Sequence, residues 1–285
     1  MSGCIGKFEN EKLDHIMIQM LKNMGLRYVL FRVWYEFQKL TGILRWRFPV
    51  GNDQKLMFSK ADWQQCNVQF PTDFLKHNVE GSPDFSGLRE RATLIEQNRF
   101  LYFSNKWFTV TDWHTNPENG FTYDKKTHCS KISTMSSQAG DIKYVWEKSR
   151  FCFLYDLIRF DFHCQIDKSK IVFAFINDWI EHNPVNCGPN WICGQEIALR
   201  VLNWTFALHY YKNSKTLTDL LFNKIMNSIH QQMHHVEQNI NFSRITVRNN
   251  HALTETLALY VSGLCFPFFP ESARWKQKGR RWFER

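Results

Sequence analysis

The sequence predicts an all-α protein built from helical hairpins, and three observations carry that prediction. From residue 141 to the C-terminus, apolar residues recur at helical spacing in one segment after another. The segments are separated by short breakers such as N-P-V-N-C-G-P at 183–189, which leave consecutive helices as antiparallel neighbours. Only 99–110, R-F-L-Y-F-S-N-K-W-F-T-V, has the aromatic and β-branched composition of strands, and it reads as a small hairpin turning at Ser104 to Lys106. Such an array closes as a bundle, a solenoid or a toroid of helical hairpins. No fixed-period repeat is visible, which argues against the standard repeat families.

In chain order, residues 11–42 hold two helices. Leu13, Ile16, Met17, Met20 and Leu21 form the first stripe, and Val29, Leu30, Val33, Trp34, Phe37 and Leu40 the second, with breaks at Gly25 and Gly42. The pattern weakens from Arg45 to Asn98, where P-T-D-F-L-K-H at 71–77 suggests a short helix. T-D-W-H-T-N-P-E-N-G at 111–120 is a loop by its Asn, Pro and Gly content, and Asp112, Trp113 and His114 on it are weak site candidates. A helix capped by Asp141 runs to about His163 and a second covers 171–182. Further helices begin near Asn190, at about 216, at Asn249 and near Pro270. Residues 1–98 form an N-terminal helical segment that is part of, or packed on, a main domain at 99–285.

A chain of 285 residues with 44% hydrophobic and 16% aromatic content buries a substantial core and is not disordered. Its 11 Trp and 25 Phe serve mainly as core, with flat platforms for sugars or bases as the rarer use. The formal charge of +9 favours acidic partners, whether glycan, nucleic acid or membrane surface. The basic tail Arg274, Lys276, Lys278, Arg280, Arg281 and Arg285 is explained by a solvated helix face. Eight cysteines without a C-x-x-C pair read as reduced, mostly buried thiols. The N-terminus has no signal-peptide core, and no run reaches the roughly 18 apolar residues of a membrane span. These features place the chain in the cytoplasm as written, and in the periplasm or outside the cell if its true start lies further upstream.

The polar residues gather in a few places. Val247 to Tyr260, V-R-N-N-H-A-L-T-E-T-L-A-L-Y, opens an apolar helix with two asparagines and a histidine, and His251 and Glu255 share one face at i and i+4. Asn249 or Asn250 serves as N-cap, which accounts for one of the two. Trp146, Glu147 and Arg150 lie within one turn, and Glu196 and Arg200 repeat an acid–base pairing, flanked by Asn190 and Trp191 and by Asn203 and Trp204. Such sets hold a ring by stacking and its hydroxyls or carboxylate by paired bonds, although a surface ion pair is the plainer reading of each. His234–His235 and the His-Cys pairs at 128–129 and 163–164 lack a second ligand pair at a recognised spacing, so no metal is expected. With no P-loop, G-x-G-x-x-G or G-x-S-x-G, no nucleotide cofactor or α/β-hydrolase chemistry is supported. A glycoside hydrolase would need two facing carboxylates, and Glu147, Glu196 and Glu255 each have a basic or His neighbour within a turn.

D-I-K-Y-V-W-E-K-S-R at 141–150, N-P-V-N-C-G-P-N-W-I-C-G-Q-E-I-A-L-R at 183–200 and R-N-N-H-A-L-T-E-T-L-A-L-Y-V-S-G-L-C-F-P at 248–267 occur in an order that resembles the N-terminal helical domain of the heparinase II/III polysaccharide lyases. D-W-H at 112–114 and W-K-Q-K-G at 275–279 fit the same pattern. The resemblance implies an incomplete α/α toroid, followed in full-length members by a β-sandwich domain. It also implies β-elimination on a uronic-acid-containing acidic glycan without a cofactor, with Asn250 and His251 as the catalytic pair. Trp146, Glu147, Arg150, Asn190, Trp191, Glu196, Arg200, Asn249 and Glu255 are then the candidate substrate-binding residues. Family members continue into a segment bearing a catalytic Tyr and into the sandwich, which contributes another His. This chain stops at Arg285, and Tyr260 does not replace the missing Tyr. The expectation is therefore a lyase domain that binds acidic polysaccharide, is weakly active or inactive alone, and is completed by a β-sandwich in cis or in trans. A non-catalytic glycan-binding or assembly module is the alternative, and a basic helical nucleic-acid binder rests on charge alone.

Overall fold

The computed structural model describes residues 23–51, 56–66, 68 and 85–284. The first expected helix, up to residue 22, and the one at 71–77 lie outside the described residues. The helices are α1 (Leu26–Thr41), α2 (Ile43–Arg47), α3 (Lys60–Gln65), α4 (Ser86–Glu96), α5 (Lys143–Ser149), α6 (Leu154–Cys164), α7 (Ser169–His182), α8 (Gly194–Tyr210), α9 (Asp219–Phe242), α10 (Asn250–Cys265) and α11 (Ser272–Phe283). The strand pair is β1 (Arg99–Tyr102) and β2 (Lys106–Thr109), antiparallel with Arg99 opposite Thr109 and Tyr102 opposite Lys106. A second pair, β3 (Met135–Ser136) and β4 (Gly140–Asp141), is too short to leave a period-2 signature and was not expected.

The continuous helix expected over 141–163 is two helices. Phe151 adopts φ 64 between α5 and α6, an unfavourable conformation for a non-glycine residue. Its ring is fully buried, stacked on Trp113 at 5.3 Å and edge-on to Trp204 at 5.3 Å. Aromatic burial in the core outweighs the local cost of the break. Trp113 and His114, on the loop before α5, are held inside the fold. Both rings are buried; Trp113 donates to Asp178 Oδ2 at 2.6 Å and His114 Nε2 lies 3.2 Å from Asn183 Oδ1. Asp112 accepts from the backbone N–H of His114 and Thr115, so this loop is a structural turn.

The helices pack as successive hairpins, α10 against α11 and α8, and α9 against α8, α7 and α10. The α10–α11 contact is backbone to backbone. A Cβ on Gly263 would stand 2.5 Å from Ser272 O, and one on Gly279 would stand 2.5 Å from Tyr260 N. One apolar core runs from Trp63 and Leu88 through Phe100, Trp179 and Trp204 to Phe266 and Trp275, so residues on both sides of position 98 share it. Trp63, Trp179, Trp204 and Trp275 are almost fully enclosed, which assigns these four to packing.

The stripe on α1 behaves differently. Leu26, Leu30, Val33, Trp34, Phe37 and Leu40 are exposed, and the buried residue of that helix is Gln38, which accepts from Arg47 Nη1 at 2.6 Å. Among the described residues α1 packs on α2 and on the turn after α9. Its Tyr35 ring meets Phe242 at 4.7 Å, and this contact places one edge of α1 along a cleft.

Candidate functional site

The start of α10 is shaped by the chain just before it. After α9 the backbone widens into a π-helical turn at Ser243–Val247, then reverses through Arg248 at φ 51. Such turns occur often where a helix must deliver side chains to a site. Asn249 is extended and its side-chain oxygen accepts from His251 N at 3.0 Å, so it is the N-cap. Asn250 is the first residue of α10, and Asn249 and Asn250 are both exposed. His251 and Glu255 follow on the face turned to the cleft.

That cleft has a volume of about 500 Å³. Trp191, Cys193, Gly194, Ser243, His251 and Glu255 line one side, and Arg32, Tyr35, Lys39 and Lys131 also line it. Glu255 is 3% exposed and its one hydrogen-bond partner is the Ser243 hydroxyl, which donates to Oε2 at 2.6 Å. Burial pushes its carboxyl up to about 8, so it holds a proton at neutral pH. Gly194, the first residue of α8, makes room for it; a Cβ there would lie 2.7 Å from Glu255 Oε1.

His251 is half-buried, and burial lowers its pKa while the charge of Glu196 acts in the opposite direction. Its Nδ1 lies 3.7 Å from Cys193 Sγ. Burial raises the Cys193 thiol to about 12, which keeps it protonated and able to donate to Nδ1. In that tautomer Nε2–H remains as a donor. The cleft thus presents an imidazole donor and a neutral carboxyl, with Arg32, Lys39 and Lys131 also on its lining; Arg32 is paired there with Glu36 at 3.3 Å.

The other expected residues divide into two groups. Arg150 Nε and Nη2 meet Glu196 Oε2 and Oε1 at 2.5 and 2.9 Å, and its Nη1 bonds Glu147. Burial disfavours the Arg150 charge, but the two carboxylates outweigh it and raise its pKa. This three-residue network joins α5 to α8 behind the cleft. Trp146 donates to Pro189 O at 2.9 Å and so fixes the 3₁₀ turn Pro189–Trp191 that brings Trp191 to the cleft.

Arg200 and Asn190 are buried and do not line the cleft. Glu196 pairs with Arg150 rather than with Arg200 one turn away. Arg200 is fully enclosed, its guanidinium 4.0 Å from the Trp179 ring, and donates to Gln232 Oε1 at 2.7 Å, Asn190 O at 3.1 Å and Ser149 O at 3.3 Å. Asn190, 1% exposed, donates its amide N–H groups to Trp113 O and Asn183 Oδ1, and its Oδ1 has no hydrogen-bond partner among the described residues. Both make their hydrogen bonds within the protein interior. Sequence reasoning missed Cys193, Gly194 and Ser243, whose link to α10 is purely tertiary. Cys66, Cys129, Cys152, Cys164, Cys187, Cys193 and Cys265 are all free thiols, and three of them, Cys129, Cys187 and Cys265, are buried.

With this geometry in hand, comparison with known proteins defines the class. Residues 95–284 match the heparinase II/III N-terminus. That is well over half of the chain, and the chain belongs to this family. Two solved structures share the fold, the heparan sulfate lyase HepC from Pedobacter heparinus and a mutant of it. Each is 18% identical and covers 78% of this chain, with TM-scores of 0.57 and 0.56. The chain spans 33% of the length of each. No curated protein matches. The helical hairpins thus form the incomplete α/α toroid expected of the family. Among the described residues no helix is long and apolar enough to cross a membrane.

Proposed function

We propose that this toroid binds a uronic-acid-containing acidic glycan in the cleft at the start of α10 and supplies the carboxylate-masking half of a β-elimination site. The observation that carries this reading is His251 in the first turn of α10, on a cleft that Arg32, Lys39 and Lys131 also line, with the exposed Asn250 one residue before it. A helix N-terminus favours an anion. The Asn250 amide and His251 Nε2–H are donors suited to a uronate carboxylate.

In the elimination, a base removes the C5 proton, the electron pair forms the C4=C5 bond, the C4–O bond breaks, and the departing oxygen takes up a proton. The C5 proton becomes acidic enough only when hydrogen bonds neutralise the adjacent carboxylate as negative charge builds on it. Asn250 and His251 have that role in this proposal, and Trp191 forms part of the wall behind them. Tyr35, the tyrosine lining the cleft, is raised to about 12, chiefly by burial, and is a poor base at neutral pH. This supports binding and charge neutralisation as this chain's share, with proton transfer supplied by another segment or domain.

The test compares heparan sulfate oligosaccharides with the same material after chemical reduction of its carboxyl groups, by calorimetric titration at fixed salt. Affinity for the native glycan at least about tenfold higher, or about 1.4 kcal/mol, is expected. Equal affinity for both would leave only non-specific attraction to sulfate and would overturn the proposal.

A further inference from the structure

His230 and His234 occupy one face of α9 at i and i+4, and Glu271 stands just before α11, after Pro270. His230 Nε2 lies 2.8 Å from Glu271 Oε2, and His234 Nε2 lies 3.0 Å from Glu271 Oε1. The three ligand atoms fall within 4.8 Å of one another, the one such group of His, Cys, Asp and Glu among the described residues. From these positions we propose a binding site for a divalent transition metal of the zinc, cobalt and nickel class, held by His230 Nε2, His234 Nε2 and a Glu271 oxygen. Its three ligands line a different cavity from the glycan cleft, with Phe48 and His235 bordering both, and the proposal does not depend on the proposed function.

The donor set selects the class of ion. Two imidazoles and one carboxylate suit zinc and its neighbours, whereas calcium and magnesium prefer oxygen ligands alone. Two histidines one turn apart on a helix are a common zinc-binding arrangement, and a carboxylate from a second element completes three protein ligands. Ligand atoms around a tetrahedral ion stand about 3.3 Å apart for bonds near 2.0–2.1 Å. The His230 and His234 nitrogens stand 2.8 and 3.0 Å from Glu271 Oε2 and Oε1 respectively, a few tenths of an ångström inside that spacing, and the ligand atoms all lie within 4.8 Å of one another.

The surroundings leave room for a fourth ligand. The three side chains open on a cavity of about 260 Å³ lined also by Arg47, Gln231 and Gln238, so water can enter. The rings are partly covered, with His230 12% and His234 32% exposed at the side chain. Burial lowers the His230 pKa, so that ring is neutral and available to a metal near pH 7. Other histidines are committed elsewhere. His128 Nε2 bonds Phe48 O at 2.8 Å, and His235 Nδ1 bonds Asn186 Oδ1 at 2.7 Å. A metal here ties α9 to the start of α11 and stabilises the folded state by mass action.

The test is titration of the full chain, stripped with chelator, with zinc(II) by calorimetry and with cobalt(II) by visible absorption. One equivalent of saturable binding is expected, with the intense d–d bands of four-coordinate cobalt and a rise in Tm on adding zinc. His234→Gln and Glu271→Gln should each weaken zinc binding at least tenfold, with the helical circular dichroism of both variants checked first. No saturable binding to the wild type, or unchanged affinity in whichever of the two variants folds, would show that the cluster is a hydrogen-bonded group only.

Discussion

Glu237 and Glu255 are both almost enclosed, yet their surroundings drive them to opposite states. On α9, Glu237 receives Arg274 Nε and Nη2 at 2.9 and 2.8 Å, Trp275 Nε1 at 2.8 Å and Lys278 Nζ at 2.7 Å, all from α11. Burial alone would raise its carboxyl, but these donors outweigh it and hold it at about 2. On α10, Glu255 has one hydroxyl partner and sits at about 8. Burial disfavours ionisation in both places, and cations reverse it in one. Glu237 is thereby a permanent anion joining two helices. Glu255 is a neutral acid beside His251, where a permanent charge would repel an acidic ligand.

The largest expected effect separates the two by pH. A folded pKa near 8 against a reference of 4.5 means that the unfolded chain releases its Glu255 proton first. Glu255's contribution to stability is therefore full below about pH 4.5 and is lost as pH rises towards 8, by about 4 kcal/mol in order of magnitude. Glu255→Gln should remove that loss, leaving the variant more stable than wild type at pH 8 and equal to it near pH 4, in urea denaturation. An unchanged pH profile would mean that Glu255 ionises inside the protein.

Glu237 gives the opposite limb. Its folded pKa near 2 lies below the reference, so its contribution is full above about pH 4.5 and is lost as pH falls towards 2. Arg274 and Lys278 are partly exposed, and after allowance for solvent screening Glu237→Gln should cost about 2 kcal/mol near neutral pH. A cost under about 0.5 kcal/mol would show that solvent competes successfully for the α11 cations. The smallest effect tests the packing around Glu255. Gly194→Ala should cost about 1–2 kcal/mol, because its Cβ meets the carboxyl. Combined with Glu255→Ala, most of that added cost should disappear in a double-mutant cycle.

The same contrast shows what was legible in the sequence. The helical pattern, the hairpin at 99–110 and the Asn249 cap depend on local spacing, and a local pattern is visible in one dimension. The break at Phe151 was hidden because its cause, a ring stacked on Trp113 from another segment, is not local. Glu196 next to Arg200 has the spacing of a helical ion pair, but Arg150 from α5 offers two bonds where Arg200 offers none. The apolar stripe of α1 was legible as a helix from its periodicity, which reports which residues share a face and not what covers it. Asn250, His251 and Glu255 were found as a group since they lie within one and a half turns. Ser243, Gly194 and Cys193 complete their surroundings from other elements and gave no signal.

The most direct test of the cleft as a carboxylate site is the affinity of heparan sulfate oligosaccharides for Asn250→Ala and His251→Ala, titrated beside wild type. Asn250 is exposed and caps nothing, so its truncation leaves the fold intact. A loss of at least about tenfold in each variant, or about 1.4 kcal/mol, with unchanged Tm for Asn250→Ala, is the expected result. Wild-type affinity in both variants would place the glycan elsewhere and contradict the account.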